Sequence, residues 1–320
     1  MDILVKKLNE SYCHLILERG IAQELNEYFS YLSPGYQYTP SYKNKIWDGK
    51  IRLAKILPNG NIEFPVGILS QLETFCEDRR YIVEYDFTET NEIVDESYIK
   101  QYIHELNIHS NHKKIELRDY QIEAVIEAIN NKRRVLLSPT SSGKSAILYC
   151  IIRYLIDHDK HKGLLIVPNV SLCHQMFSDF DDYSTHVEWD VTKFVHKIHS
   201  GQEKFTDHKL IISTWQSLSS MLKNKATARD TKLMLSNMDY VLCDEAHGAK
   251  GAELANIVNF CTTAQYKIGV TGTLNGTKIH ALQLESLFGT VRKVISTREL
   301  MDKKQVVDLS IKCLVLKYPE

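Results

Sequence analysis

From about residue 115 onward, short apolar runs alternate with segments of helical period. The buried-strand candidates lie at residues 135–137, 164–167, 210–212, 240–243 and 267–270, and each stops abruptly in a polar or Gly/Pro-containing turn. Strands of this kind alternating with helices predict an α/β fold built on a parallel sheet. Behind the first run, Ile147, Leu148, Ile151, Ile152 and Leu155 recur at helical spacing and predict one buried face. Residues 1–110 have another pattern, short strand-like stretches mixed with helix-like ones, which predicts a small α+β domain. Residues 105–114, rich in His, Asn and Lys, read as a linker, and the α/β domain is expected over 111–310.

Composition changes this picture little. The 43% hydrophobic and 25% charged residues are ordinary for a soluble globular protein, and 320 residues allow two domains. A formal net charge of −1 supplies no global basic field, so any nucleic-acid contact must come from local patches. The seven cysteines are scattered with no C-x-x-C pair, which fits reduced thiols buried as small hydrophobes. Residues 1–7 carry an early basic pair with no apolar stretch behind it, and no apolar run is long enough to span a bilayer. A soluble intracellular protein with no membrane partner is expected.

The residues just after each strand matter most, because ligands of open α/β sheets bind at the carboxyl ends of the strands. After the first run comes Ser138-Pro139-Thr140-Ser141-Ser142-Gly143-Lys144-Ser145. Its end matches the phosphate-binding pattern G-x-x-x-x-G-K-[ST], while Ser138 stands where the strict pattern has glycine. Gly143 lets backbone N–H groups close around phosphates, Lys144 reaches the β and γ oxygens, and the Ser145 hydroxyl ligates Mg²⁺. The helix behind this loop turns its positive end to the phosphates. ATP and Mg²⁺ are the cofactors this implies. After Cys243 comes Asp244-Glu245-Ala246-His247. Asp244 at a strand end can hold Mg²⁺ and Glu245 beside it can polarise an attacking water; alternatively, Asp244 caps a helix beginning near Ala246.

Together, these segments resemble the first RecA-like domain of superfamily 2 helicases and translocases. Asp244-Glu245-Ala246-His247 reads DEAH, and other signatures fall in the family's order. Leu117-Arg118-Asp119-Tyr120-Gln121 resembles the segment in which a glutamine contacts adenine, which implies that role for Gln121. Val167-Pro168-Asn169 resembles motif Ia and Ser213-Thr214-Trp215-Gln216 the next DNA-facing motif, which places Pro168, Asn169, Thr214, Trp215 and Gln216 on nucleic acid. Trp215 serves equally well as a core aromatic. Thr271-Gly272-Thr273 resembles motif III, which with His247 couples nucleotide state to strand grip. The match covers roughly residues 115–300 and implies a RecA-like P-loop domain.

In the first segment, residues 36–55 place Lys43, Lys45, Lys50, Arg52 and Lys55 against one acid, Asp48, with Tyr36, Tyr38, Tyr42 and Trp47 interleaved. Charge for phosphates and flat faces for bases are what a nucleic-acid surface needs. A solvated hairpin with aromatics packed beneath it, turning at Trp47-Asp48-Gly49, accounts for the same residues. The run from Phe29 through Trp47-Asp48-Gly49-Lys50-Ile51-Arg52-Leu53, then Pro65-Val66-Gly67 and Phe75-Cys76, resembles the N-terminal domain of the UvsW family of phage recombination and repair helicases. The resemblance resumes at the P-loop and at Leu316-Lys317-Tyr318-Pro319. It implies an ATP-dependent DNA helicase that remodels branched DNA, in the cytoplasm of an infected bacterium. The chain departs from the family in its DEAH box and in a motif III that begins with Thr.

Motors of this superfamily close ATP between two RecA-like domains, the second supplying arginine fingers worth about 10³–10⁵ in rate in related NTPases. The 47 residues after Thr273 leave room for an outer helix, a strand and a linker at 311–320, with no Q-x-x-G-R-x-x-R-like run. The expectation is therefore a first motor domain that binds ATP and single-stranded or branched DNA but turns over slowly, if at all, without a second. The alternatives are the motor subunit of a restriction system, an RNA helicase, and a nucleotide-regulated binding or annealing module without unwinding activity.

Overall fold

The computed structural model describes residues 1–88, 92–199, 203–274 and 278–304. The N-terminal lobe opens with strands β1 (Ile3–Lys7) and β2 (Tyr12–Leu17), helix α1 (Arg19–Tyr28) and strand β3 (Ser30–Leu32). It continues with α2 (Pro40–Lys43), β4 (Lys50–Arg52), β5 (Lys55–Ile56), β6 (Ile62–Pro65), α3 (Leu69–Arg79) and β7 (Val83–Tyr85). Five strands form a mixed sheet in the order β5-β6-β2-β1-β7, and β3 pairs with β4 apart from it. Strand alternation turns Ile3, Val5, Cys13, Leu15, Ile62 and Phe64 inward, where α1 adds Leu25 and α3 adds Leu72 and Phe75.

Next come α4 (Glu96–Glu105) and the hairpin strands β8 (His109–Ser110) and β9 (Lys113–Lys114). Residues 105–114 are thus the end of a helix and a hairpin, not a linker. Ile99, Ile103, Leu106 and Ile108 are buried in the core of the second domain. The core changes hands between Phe87, packed in the lobe, and Val94, packed in the motor, so the boundary expected at 110 lies nearer 90. A His/Asn/Lys-rich stretch misled because its apolar residues are sparse but all turned to one side.

The motor domain comprises α5 (Asp119–Asn131), β10 (Arg133–Leu137), α6 (Lys144–Asp157), β11 (Gly163–Val167), α7 (Val170–Tyr183), α8 (Val191–Phe194) and β12 (Val195–Ile198). It continues with β13 (Leu210–Thr214), α9 (Trp215–Lys223), α10 (Ala228–Ser236), β14 (Tyr240–Asp244), α11 (Ala252–Phe260), β15 (Tyr266–Thr271), α12 (Lys278–Phe288), β16 (Val291–Lys293) and α13 (Thr297–Asp302). Seven strands make one all-parallel sheet in the order β12-β13-β11-β14-β15-β10-β16. Strands β11, β13 and β14 are buried along their whole length, so they read as continuous apolar runs.

One face of the sheet carries the core shared with α4, α5, α6 and α7; the other packs against α9, α11 and α12. All five predicted runs lie in strands of this sheet, and the expected RecA-like α/β architecture with a smaller N-terminal domain is present. Helix α6 is buried on every side from Ala146 to Ile156, more than the single face predicted, because α5 and α7 flank it.

The lobe is seated on the motor at the amino ends of its strands. In the β1–β2 turn, the Ser11 hydroxyl donates to the Asn259 carbonyl at 3.0 Å and accepts from Lys267 Nζ at 2.6 Å. Lys267 is only 1% exposed, and its ammonium also reaches the Val258 carbonyl at 3.2 Å. Arg133, at the root of β10, pairs with Glu10 at 3.0 Å. A second contact places Gly67 against α12, where a Cβ would lie 2.2 Å from the Glu285 carbonyl oxygen. Only glycine permits that approach.

Candidate nucleotide site and nucleic-acid faces

Strand β10 ends at Leu137 and α6 begins at Lys144, with Gly143 as its N-cap in the left-handed region (φ 80°). Ser138, which replaces the pattern's first glycine, is fully buried, and its hydroxyl bonds that of Ser142 at 2.6 Å. Ser142 in turn donates to the Pro139 carbonyl at 2.6 Å. The departure at Ser138 therefore braces the loop, at a position with no positive φ to require glycine. From α5, Gln121 Nε2 and the Tyr120 hydroxyl both donate to the Ser142 carbonyl, at 2.9 and 3.1 Å. The Gln121 Oε1 accepts from Arg118 N at 2.8 Å, so this side chain is engaged with protein at both ends of its amide.

Thr140 and Ser141 are exposed at the tip of the loop, Ser141 with φ 66°. Among the described residues, the backbone N–H groups of Ser141, Gly143, Lys144 and Ser145 meet no protein acceptor. Unmet N–H groups around a helix N-terminus form an anion cradle.

The neighbouring strands bring the other charged groups to the same place. Asp244, the last residue of β14, is 5% exposed, and burial pushes its carboxyl above the usual range while Lys144 opposes that shift. Lys144 Nζ donates to Glu245 Oε1 at 2.5 Å, so the ammonium already faces an anionic oxygen. Glu245 itself is left-handed (φ 51°), a backbone state that costs about 1–3 kcal/mol in a non-glycine residue and clusters at functional sites. His247 Nδ1 lies 3.2 Å from Glu245 Oε2 and 3.0 Å from Thr271 Oγ1, and Thr271 donates to the Thr273 carbonyl at 3.1 Å. Gly272 lies 3.6 Å from Ser138 O, measured from a Cβ built upon it, so the Thr-Gly-Thr turn rests against the P-loop. One ammonium, two carboxylates, a hydroxyl and unmet N–H groups are the donor set that a Mg²⁺–triphosphate needs.

On the other half of the same edge, Asn169 caps α7 by accepting from Leu172 N at 2.9 Å, and Gln216, exposed, donates to the Pro168 carbonyl at 3.1 Å. Trp215 is half-buried against the core under α9, which answers to the core-aromatic alternative in part. Thr214 departs from expectation. It is 3% exposed and its hydroxyl accepts from Ser217 N at 3.2 Å, so its side chain caps α9 and is not presented to nucleic acid.

In the lobe, Tyr42, Lys43, Lys45, Ile46, Trp47 and Arg52 line an open groove of about 800 Å³. The chain turns at Asn44-Lys45, and Trp47-Asp48-Gly49 leads from there into β4, whose partner strand is β3; a short helical excursion replaces the simple hairpin expected. Arg52 grips Asp48 with both guanidinium nitrogens and holds its carboxyl down at about 2. Lys43, Lys45 and Lys50 stay exposed.

Comparison with known proteins agrees with both halves. Residues 114–276 match the family described as type III restriction enzyme, res subunit, and residues 2–86 the family described as DNA helicase UvsW, N-terminal. Over 326 residues the chain is 31% identical to the ATP-dependent DNA helicase uvsW of Enterobacteria phage T4, all of it aligning with 61% of that protein. A crystal structure of the UvsW helicase from bacteriophage T4 superposes with a TM-score of 0.78 at 30% identity, covering 92% of this chain and 100% of that one. The chain belongs to the UvsW family of superfamily 2 helicases. A second crystal structure of T4 UvsW gives the same TM-score over 57% of its length, and the chain spans 61% of the curated T4 relative. A 70-residue stretch is 36% identical to the DNA 3'-5' translocase XPB2 of Sulfurisphaera tokodaii.

In this UvsW-family chain the sequence motifs brought the P-loop, Asp244, Glu245, His247 and Thr271 into view, and the structure gathers them at one edge. Sequence reading missed Tyr120 and Tyr183, whose hydroxyls touch the P-loop and Ser145, and the buried Lys267. Six cysteines are buried, with burial pushing the Cys150 and Cys261 thiols up to about 12; Cys313 and the Leu316–Pro319 resemblance lie outside the described residues. No helix among the described residues is long and apolar enough to cross a membrane.

Proposed function

We propose that this chain is the ATP-binding and DNA-engaging part of a helicase or translocase that remodels branched DNA in recombination, repair and fork processing. The observation that carries the reading is the juxtaposition of unmet N–H groups at the start of α6 with Lys144, Asp244 and Glu245. Lys144 neutralises charge on the β and γ phosphates, and Glu245, released from Lys144, orients the attacking water. Ser145 and Asp244 are the residues that would hold Mg²⁺, which when bound screens the phosphate charge. His247 and Thr271 join the DEAH segment to the Thr-Gly-Thr turn, a route for coupling nucleotide state to DNA grip. Pro168, Asn169, Trp215 and Gln216 face the strand, with Lys43, Lys45, Trp47 and Lys50 of the lobe as a second DNA surface. The match of residues 2–86 to a helicase lobe favours this reading over a restriction motor, whose family description covers the motor alone. The site of action is the cytoplasm of an infected bacterium.

Binding of MgATP and its hydrolysis, with and without branched DNA, test the proposal, with Glu245→Gln as the blank. The expected result is nucleotide affinity lowered roughly 30-fold or more by Lys144→Ala, the loss typical of removing one partner of a desolvated charge pair. Turnover is expected to exceed the blank only when a second RecA-like domain is supplied. Equal binding by wild type and Lys144→Ala would sink the assignment. DNA-stimulated turnover by the chain alone would remove the need for the second domain, and strand annealing without turnover in its presence would favour the annealing-module reading.

A further inference from the structure

The hydroxyl expected to ligate the metal is already held elsewhere. Ser145 Oγ lies 2.8 Å from the Tyr183 hydroxyl, and the half-buried Asp179 carboxyl, one turn earlier on the same helix, faces the same hydroxyl. A serine hydroxyl has one proton and two lone pairs. In the Ser145–Tyr183 pair either oxygen can be the donor, and the bond occupies one of these positions in both cases. Ser145 makes no hydrogen bond to Asp244, its expected companion in holding Mg²⁺, among the described residues. Both partners belong to α7, which ends at Tyr183 and begins directly after Pro168-Asn169. The Tyr183 ring is fixed by packing 5.4 Å from Tyr149 of α6, so the hydroxyl is presented by a half-buried, positioned side chain.

We propose that Tyr183, with Asp179, is a latch on the metal-ligating hydroxyl, and that Mg²⁺ must take Ser145 from it, so that α7 relays metal–nucleotide occupancy to the DNA-facing Pro168-Asn169 segment. This rests on the nucleotide-site reading above. Tyr183 is a positioning residue, acting through Ser145. The latch opposes metal binding and leaves the phosphate cradle alone, which separates it from a purely structural tyrosine.

The test is binding of a fluorescent ADP analogue to the whole chain over a Mg²⁺ titration, comparing wild type, Tyr183→Phe and Asp179→Asn, with melting curves to confirm folding. Losing one hydrogen bond from the competing state is expected to lower the half-saturating Mg²⁺ concentration about 2- to 10-fold. Affinity for the metal-free nucleotide should stay as in wild type. In hydrogen exchange, adding Mg²⁺ to the nucleotide complex should change protection over residues 170–174 in wild type and less in Tyr183→Phe. An unchanged or raised Mg²⁺ midpoint in both variants overturns the latch, and if Tyr183→Phe does not fold, Asp179→Asn decides alone. Lys144→Ala separates the two failures. If it binds the analogue as wild type does, the nucleotide site itself is wrong; if it abolishes binding while the latch variants match wild type, only the latch falls.

Discussion

The two edges of the seven-stranded sheet are made by the same strands and treat polar groups in opposite ways. At the amino edge, Arg133 and Lys267 are closed over by the lobe, and the polar atoms of Glu10, Ser11 and Val258 are matched to them. At the carboxyl edge, the start of α6 has N–H groups that meet no acceptor among the described residues, while α7 and α9 on the same edge are capped by Asn169 and Thr214. Buried polar groups are satisfied unless something outside the chain is to satisfy them. The contrast agrees with the motifs in pointing to the start of α6, on the carboxyl side of the sheet.

The comparison can be broken most severely at Gly143. Alanine there would stand at φ 80° with its Cβ 2.2 Å from Gln121 Nε2. The expected outcome is loss of nucleotide affinity by an order of magnitude or more, with stability lowered by roughly 1–3 kcal/mol; calorimetric titration and urea unfolding read the two. A capped helix start should respond differently. Thr214→Ala is expected to cost about 1–2 kcal/mol in urea unfolding and to leave nucleotide affinity intact, because only a cap is lost.

The sealed edge responds to pH and not to a ligand. Burial lowers the Lys267 ammonium to about 7 from 10.5, Arg133 adding to the shift. The unfolded chain holds that proton up to about pH 10.5 and the folded chain only to about 7, so between them unfolding takes up a proton. Stability from this group rises with pH across that window, by at most about 1.4 kcal/mol per unit. Lys267→Met should flatten the rise, seen as urea midpoints at pH 7 and 9 that differ less than in wild type; an unchanged pH slope would mean that Lys267 is not the group responsible.

Much of this was legible from the chain because parallel strands in the middle of a sheet must be apolar throughout, and ligand chemistry must sit at their ends. That logic located β10, β11, β13, β14 and β15 and the residues after them. It fails at the margins. Edge strands β12 (Val-His-Lys-Ile) and β16 (Val-Arg-Lys) face water on one side and carry no continuous apolar run. Helix α4 hides its allegiance, because Ile99 and Ile103 would suit either core. Thr214 lies within a motif, but whether its hydroxyl caps a helix or meets a ligand depends on one rotamer. Contacts such as Ser145–Tyr183 and Ser11–Lys267 join residues 38 and 256 positions apart, beyond the reach of any periodicity.

The seat of the lobe has a mechanical consequence. Its β1–β2 turn grips the roots of β10 and β15, and the tips of those two strands carry the P-loop and the Thr-Gly-Thr turn. Between root and tip lie five or six residues of hydrogen-bonded strand, with no loop in which slack can be taken up. A displacement of the lobe is thus carried along two stiff rods to the opposite edge of the sheet, where the P-loop and the Thr-Gly-Thr turn lie.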